Sequence, residues 1–184
     1  MDFYQSTDDF YNKGIDSCDK GDYKDALESF DQALKIKPDF YPGWYNRGVA
    51  LFFIGDYDGA IKSYDQALEI KPDFYPGWYN RGEALVRLTK YQNLFPDSEL
   101  SDEHKQQYRD AIASYEKALE IKPDFHQAWY NRAECYALIK QVDLAIEDLK
   151  KAIELNPEYK NNAKTDPDFE KIGEDDRFKK LIED

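Results

Sequence analysis

Four asparagines, Asn12, Asn46, Asn80 and Asn131, each directly follow a tyrosine: Tyr11, Tyr45, Tyr79 and Tyr130. A side-chain carboxamide offers an acceptor and two donor hydrogens together, so a column of them can bond both the N–H and the C=O of an extended chain. Tyr rings beside the column add rigid amphipathic surface for whatever side chains that segment carries. A ladder of this kind reads main chain and not sequence, so discrimination has to come from residues that vary around it. Val49 and Phe53 are apolar, whereas Glu83, Arg87 and Glu134 are charged. Two plainer uses compete with these: the Asn column can simply solvate a helix face, and one of Phe52 and Phe53 can pack between neighbouring helices.

Other chemistries lack their residues. The chain carries no Gly-rich phosphate loop and no Cys and His cluster at metal spacing, and His104 and His126 stand apart in type and position. Carboxylates abound but fall on solvated helix faces without an acid–base signature. The expectation is therefore no catalytic residue, no cofactor and no metal. With 38 acidic against 25 basic residues, the net charge of −13 weighs against nucleic acid and against an anionic membrane surface, because both need clustered Lys and Arg. No apolar run approaches the roughly 20 residues of a membrane span, and Met1-Asp2-Phe3-Tyr4 lacks the basic and apolar regions of a secretory signal. A cytoplasmic location is expected, with Cys18 and Cys135 as reduced thiols.

The elements that would hold the ladder come from self-similarity. Ile36 to Gly48 (IKPDFYPGWYNRG) recurs unchanged as Ile70 to Gly82, an offset of 34, and a third copy, Ile121 to Ala133, follows after a further 51 residues. The excess of 17 over 34 marks an insertion. In this register the second repeat reads Trp44-x2-Arg47-Gly48-x2-Leu51, then Ala60-x3-Tyr64-x2-Ala67, and ends at Pro72. The third carries Trp78, Arg81, Gly82, Leu85, Ala111, Tyr115, Ala118 and Pro123, and the fourth Trp129, Arg132, Ala133, Tyr136, Ala145, Leu149, Ala152 and Pro157. The first is looser, with Phe10, Lys13, Gly14, Ser17, Ala26, Phe30, Ala33 and Pro38.

The period and these positions resemble the tetratricopeptide repeat family over about residues 7–159, departing at the seventh position (Lys or Arg for Leu) and at Ser17. The resemblance implies an all-α, right-handed α-solenoid of helix-turn-helix repeats, with one domain over 1–184. Its repeats fall at about 7–40, 41–74, 75–125 and 126–159, with the insertion near 91–107 and a C-terminal cap over 160–184. Small residues at the eighth and twentieth positions, such as Gly48 with Ala60, let paired helices approach. The resemblance further implies that the Asn, Tyr and variable residues named above line a concave groove. The Asn column is similar to the asparagine ladder in the repeat domain of O-linked N-acetylglucosamine transferase, which contacts the main chain of bound peptides.

The resemblance also tests one familiar ligand. The chaperone-tail clamp of related repeats needs Lys or Arg at the second and fifth positions, but here the second holds Asp8, Pro42, Pro76 and Gln127, and the fifth is always Tyr. Acidic chaperone tails are therefore not expected by that mechanism. Arg47, Arg81 and Arg132 are expected to pair with the loop carboxylates Asp39, Asp73 and Asp124.

In the insertion, Ser101 before Asp102 and Glu103 predicts an early helix start running to about Ile121, and Leu94, Phe95 and Leu100 are expected to close the tip of a hairpin. After Pro157, Asp166-Pro167 predicts a short helix ended by Gly173, and Asp175 or Asp176 starts another. Their apolar side, Phe169, Ile172, Phe178, Leu181 and Ile182, suits a solenoid cap, and the ending resembles those of bacterial members. The function expected is a non-catalytic scaffold that holds a protein or peptide segment in the groove. The alternatives are a structural module that self-associates into weak homo-oligomers and an interaction domain of a larger protein.

Overall fold

The second helices of the first three repeats have small and aromatic residues four and seven apart, which puts them on one stripe of a 3.6-residue helix. Ala26, Phe30 and Ala33 are fully buried, as are Ala60, Tyr64 and Ala67 one repeat later, and Ala111, Tyr115 and Ala118 beyond the insertion. The computed structural model describes residues 6–92 and 99–183, and every element among them is helical. In order they are α1 (Thr7–Asp19), α2 (Tyr23–Ile36), α3 (Tyr41–Phe53), α4 (Tyr57–Ile70) and α5 (Tyr75–Gln92). They continue as α6 (Asp102–Ile121), α7 (His126–Leu138), α8 (Val142–Leu155), α9 (Tyr159–Thr165), a 3₁₀ turn over Pro167–Ile172, and α10 (Asp176–Glu183). The chain divides into two compact units, residues 1–84 and 85–184.

In the first unit, α1 packs on α2 and α3 on α4. A Cβ on Gly48 would lie 2.6 Å from Tyr64 Cε1, so glycine is what admits the Tyr64 ring to the crossing of α3 and α4. The turns between paired helices close in the left-handed region, at Gly21 (φ 80°) and Gly55 (φ 85°). Asp22 N–H donates to Ser17 O at 2.9 Å and Asp56 N–H to Leu51 O at 3.0 Å, so the carbonyls left bare by the helix ends are satisfied. Between one pair and the next, the Trp44 and Trp78 indoles donate to Pro38 O and Pro72 O, each at 2.8 Å, and fix the loop against the following helix.

In the second unit, α7 pairs with α8, and Trp129 donates to Pro123 O at 2.8 Å. The turn after α7 uses Lys140 in the left-handed region (φ 61°), where the first unit has glycine. α5 runs two residues past Lys90, and α6 begins at a Ser101 cap whose hydroxyl accepts His104 N–H at 3.1 Å. Leu100 is buried, whereas Leu94 and Phe95 lie outside the described residues. The cap holds one element more than the sequence suggested: α9 precedes the Asp166 turn. Asp166 accepts from Asp168 N–H at 3.0 Å, and Phe169, Ile172 and Phe178 are buried.

Candidate functional site

Two members of the Asn column, Asn46 and Asn80, are engaged within the chain. Asn46 Nδ2 donates to the Tyr11 hydroxyl and to Pro42 O, both at 3.0 Å, and Asn80 Nδ2 donates to the Tyr45 hydroxyl at 2.9 Å. Each carboxamide therefore ties its helix to the first helix of the repeat before it. One donor each of Asn46 and Asn80 thus goes to tyrosine within the chain, whereas Asn12, at the head of the column, is exposed. The tyrosines are equally occupied: Tyr11 meets Phe40 edge-on with centroids 5.1 Å apart, and Tyr45 meets Phe74 in the same way at 5.0 Å. Burial pushes the Tyr11 and Tyr45 hydroxyls up from their ordinary value, which keeps them neutral donors and acceptors.

The arginines of the seventh position find other partners than those expected. Arg47 donates to Asp31 at 2.7 Å and to Ser63 at 2.8 Å, and Arg81 donates to Asp65 at 2.6 Å, while Asp73 pairs with Lys71. In the second unit Arg132 holds Asp148 with two hydrogen bonds of 2.6 and 2.8 Å. The carboxylates come from the second helices and not from the loops, because a helix-borne side chain sixteen residues away lies across the packed pair. Asp39 and Asp124 are left exposed.

The first unit contains a recess of about 180 Å³ lined by Val49, Phe52, Phe53, Tyr64, Tyr79, Asn80 and Glu83. It brings together Tyr79, Asn80, Val49, Phe53 and Glu83 from the expected set and adds Phe52 and Tyr64. Phe52 packs against the cluster of Leu51, Ala60, Tyr64 and Ala84, so it forms the wall. Phe53 is 59% exposed and stacks on Tyr23 with centroids 4.8 Å apart, so it forms the rim. Of the two phenylalanines, Phe52 is therefore the one that packs into the protein.

In the second unit two of the expected groove residues, Tyr130 and Glu134, meet the C-terminal cap. The Tyr130 hydroxyl donates to Asp166 at 2.8 Å, its ring stacks on Tyr159 at 4.4 Å, and Phe169 meets it edge-on at 5.6 Å. Asp166 thus serves Tyr130 as the asparagines serve Tyr11 and Tyr45. Glu134 lies with Asp166 and Asp168, their ligand oxygens all within 4.8 Å of one another, and Lys90 binds Asp168. Burial first, then a hydrogen bond and repulsion from Asp166, push the Glu134 carboxyl up to about 10, so it holds a proton. Lys90 and this proton offset part of the charge of the cluster. His126 Nδ1 lies 3.1 Å from the Tyr159 hydroxyl. Asn131 is half-buried beside Tyr130, and Arg87 is exposed on α5.

No helix of the structure is long and apolar enough to cross a membrane among the described residues. The sequence matches none of the curated proteins. Solved structures share the fold. MamA residues 41 to the end, from Desulfovibrio magneticus RS-1, has a TM-score of 0.72 at 22% identity, covering 96% of this chain and 93% of that one. A thermophilic tetratricopeptide repeat protein from Thermus thermophilus has 0.68 at 22% identity, covering 96% and 88%. The first such domain of Spaghetti (RPAP3), solved bound to an HSP90 peptide SRMEEVD, has 0.63 at 18%, covering 74% and 94%. The family model described as tetratricopeptide repeat matches residues 41–74 and 126–159, and a second, described as TPR repeat, matches 17–55 and 104–140. With the period of 34, the paired helices and the glycine-aromatic crossings, these matches establish that the chain belongs to the tetratricopeptide repeat family.

Proposed function

We propose that the chain is a non-catalytic protein-interaction scaffold whose recess in residues 1–84 grips one apolar side chain of an extended partner segment. The observation that carries this reading is the recess itself. Four aromatic rings and Val49 surround a space of about 180 Å³, enough for one large apolar side chain, and Phe53 remains 59% exposed at its rim. An exposed aromatic beside an apolar hollow is the arrangement that protein contacts exploit. Asn80 and Glu83 sit at its polar side, where the carboxamide oxygen of Asn80 can accept a main-chain N–H from the segment. The ladder of Asn46 and Asn80 thereby changes its part, from gripping the ligand to holding the tyrosine-lined face rigid. That the Spaghetti domain carries a peptide in its solved structure accords with this use of the fold. Two thiols without a disulfide, Cys18 and the buried Cys135, accord with a cytoplasmic location.

A displayed library of random peptides panned on the full chain tests the proposal. Selected peptides should share an apolar residue and lose about tenfold or more in affinity when Phe53→Ser removes the rim, an effect of about 1.4 kcal/mol. Because Phe53 is largely exposed, that variant keeps the fold. Peptides that bind Phe53→Ser and the parent chain alike would sink the recess as the binding site.

A further inference from the structure

The second unit contains a larger recess, of about 560 Å³, that the interaction reading does not use. Its floor is apolar, formed by Leu100, Leu138 and Ile139, with Leu100 buried. Three lysines from three separate elements stand around it: Lys105 on α6, Lys140 in the turn after α7, and Lys171 in the 3₁₀ turn of the cap. In a chain with 38 acidic and 25 basic residues, a lining of three cations and the single acid Glu99 reverses the charge of the whole.

These ammonium groups are loosely committed. Lys140 lies 3.8 Å from Glu99, with side chains 65% and 90% exposed, and Lys105 lies 3.6 Å from Asp102, which is wholly exposed. Exposed pairs at such distances contribute little and exchange readily for a better acceptor. Lys171 makes no ion pair or hydrogen bond among the described residues. Lys140 also departs from the turn chemistry of the first two repeats. Gly21 and Gly55 take the left-handed conformation at the matching place without strain, whereas a lysine there at φ 61° carries a Cβ penalty. The turn would be more stable with glycine, and the side chain it carries instead reaches the recess.

We propose that this recess binds a small organic anion with an apolar body, an alkyl or aryl carboxylate, its charge met by Lys105, Lys140 and Lys171 and its body laid on Leu100, Leu138 and Ile139. A compact inorganic anion would satisfy the rim but leave the floor wet. The volume falls within the range of small-molecule sites, and a few charged groups over an apolar lining is their usual make-up.

Octanoate titrated into the full chain, followed through the methyl resonances of Leu100, Leu138 and Ile139, tests this, with inorganic phosphate as the comparison. Saturable shifts at these methyls are expected, absent with phosphate. Lys171→Ala and Lys140→Gly should each weaken binding about fivefold, the scale of one charge-assisted contact at a partly exposed site. Lys140→Gly should raise the melting temperature at the same time, because glycine relieves the turn. A higher melting temperature with unchanged octanoate affinity would make Lys140 a turn residue only and overturn the proposal. So would equal shifts with phosphate, or no shift at these methyls up to roughly 10 mM octanoate, which corresponds to binding too weak to matter.

Discussion

Asn46→Ala removes both donors of a carboxamide that reaches the Tyr11 hydroxyl and the Pro42 carbonyl, each at 3.0 Å. A hydrogen bond of this kind contributes about 1 kcal/mol net, and both sites are only partly buried, so water recovers some of the loss. The expected cost is about 1–2 kcal/mol. Tyr11→Phe removes the acceptor of one of the two bonds and keeps the ring against Phe40. The two substitutions should therefore couple by about 0.5–1 kcal/mol in a double-mutant cycle, since one bond is common to both. Asn12→Ala, at the exposed head of the same column, should stay within about 0.5 kcal/mol of the parent. Urea unfolding followed by far-ultraviolet circular dichroism at fixed pH reads all four. A neutral Asn46→Ala, or a coupling below about 0.2 kcal/mol, would refute the structural role of the ladder and return its amides to a ligand.

Gly48→Ala places a Cβ 2.6 Å from the Tyr64 ring and should destabilise by about 1–3 kcal/mol in the same urea assay, the usual cost of overpacking. Asp148→Ala strands the Arg132 guanidinium, whose side chain is 13% exposed beside a 5% exposed partner, and should cost about 3–5 kcal/mol. Asp31→Ala, whose partner Arg47 keeps Ser63 and whose own side chain is 45% exposed, should cost under about 1 kcal/mol. Glu134 gives a pH dependence. Its folded value of about 10 lies above its ordinary 4.5, so the stability it contributes is full below about 4.5 and is lost as pH rises towards 10. Glu134→Gln, which stays neutral, should flatten the fall in stability between pH 5 and 8 in paired urea melts, and an unchanged slope would exclude a shared proton in the cap.

The helix pairs were legible because their signals are local: glycine or alanine facing an aromatic, left-handed turns at Gly21 and Gly55, and the Ser101 cap. The columns of Asn, Tyr and Arg were legible as columns, but their partners were not. Asn46 reaches Tyr11 and Arg47 reaches Asp31 across helix interfaces, and such pairings depend on the register between helices, which spacing along one helix does not define. The loop carboxylates looked nearer to the arginines in sequence, yet the packed second helices supply the oxygens. At the C-terminus, Pro157 and Tyr159 stand where Pro123 and Phe125 stand one repeat earlier, so the chain begins another repeat and abandons it after α9. The Lys and Asn run that follows lacks Trp and Gly and hid that start. A carboxylate, Asp166, then meets Tyr130 where Tyr11 and Tyr45 meet asparagine.

On the proposed function, the apolar recess of residues 1–84 holds the partner while the Asn ladder and the cap hold the protein. Backbone hydrogen exchange of the full chain, with and without a peptide selected on it, measures this most directly. New protection is expected in Val49–Phe53 of α3 and Tyr79–Glu83 of α5, with α7 around Tyr130 and Glu134 unchanged beneath its cap. Protection confined to α7, or to none of these segments, would contradict it.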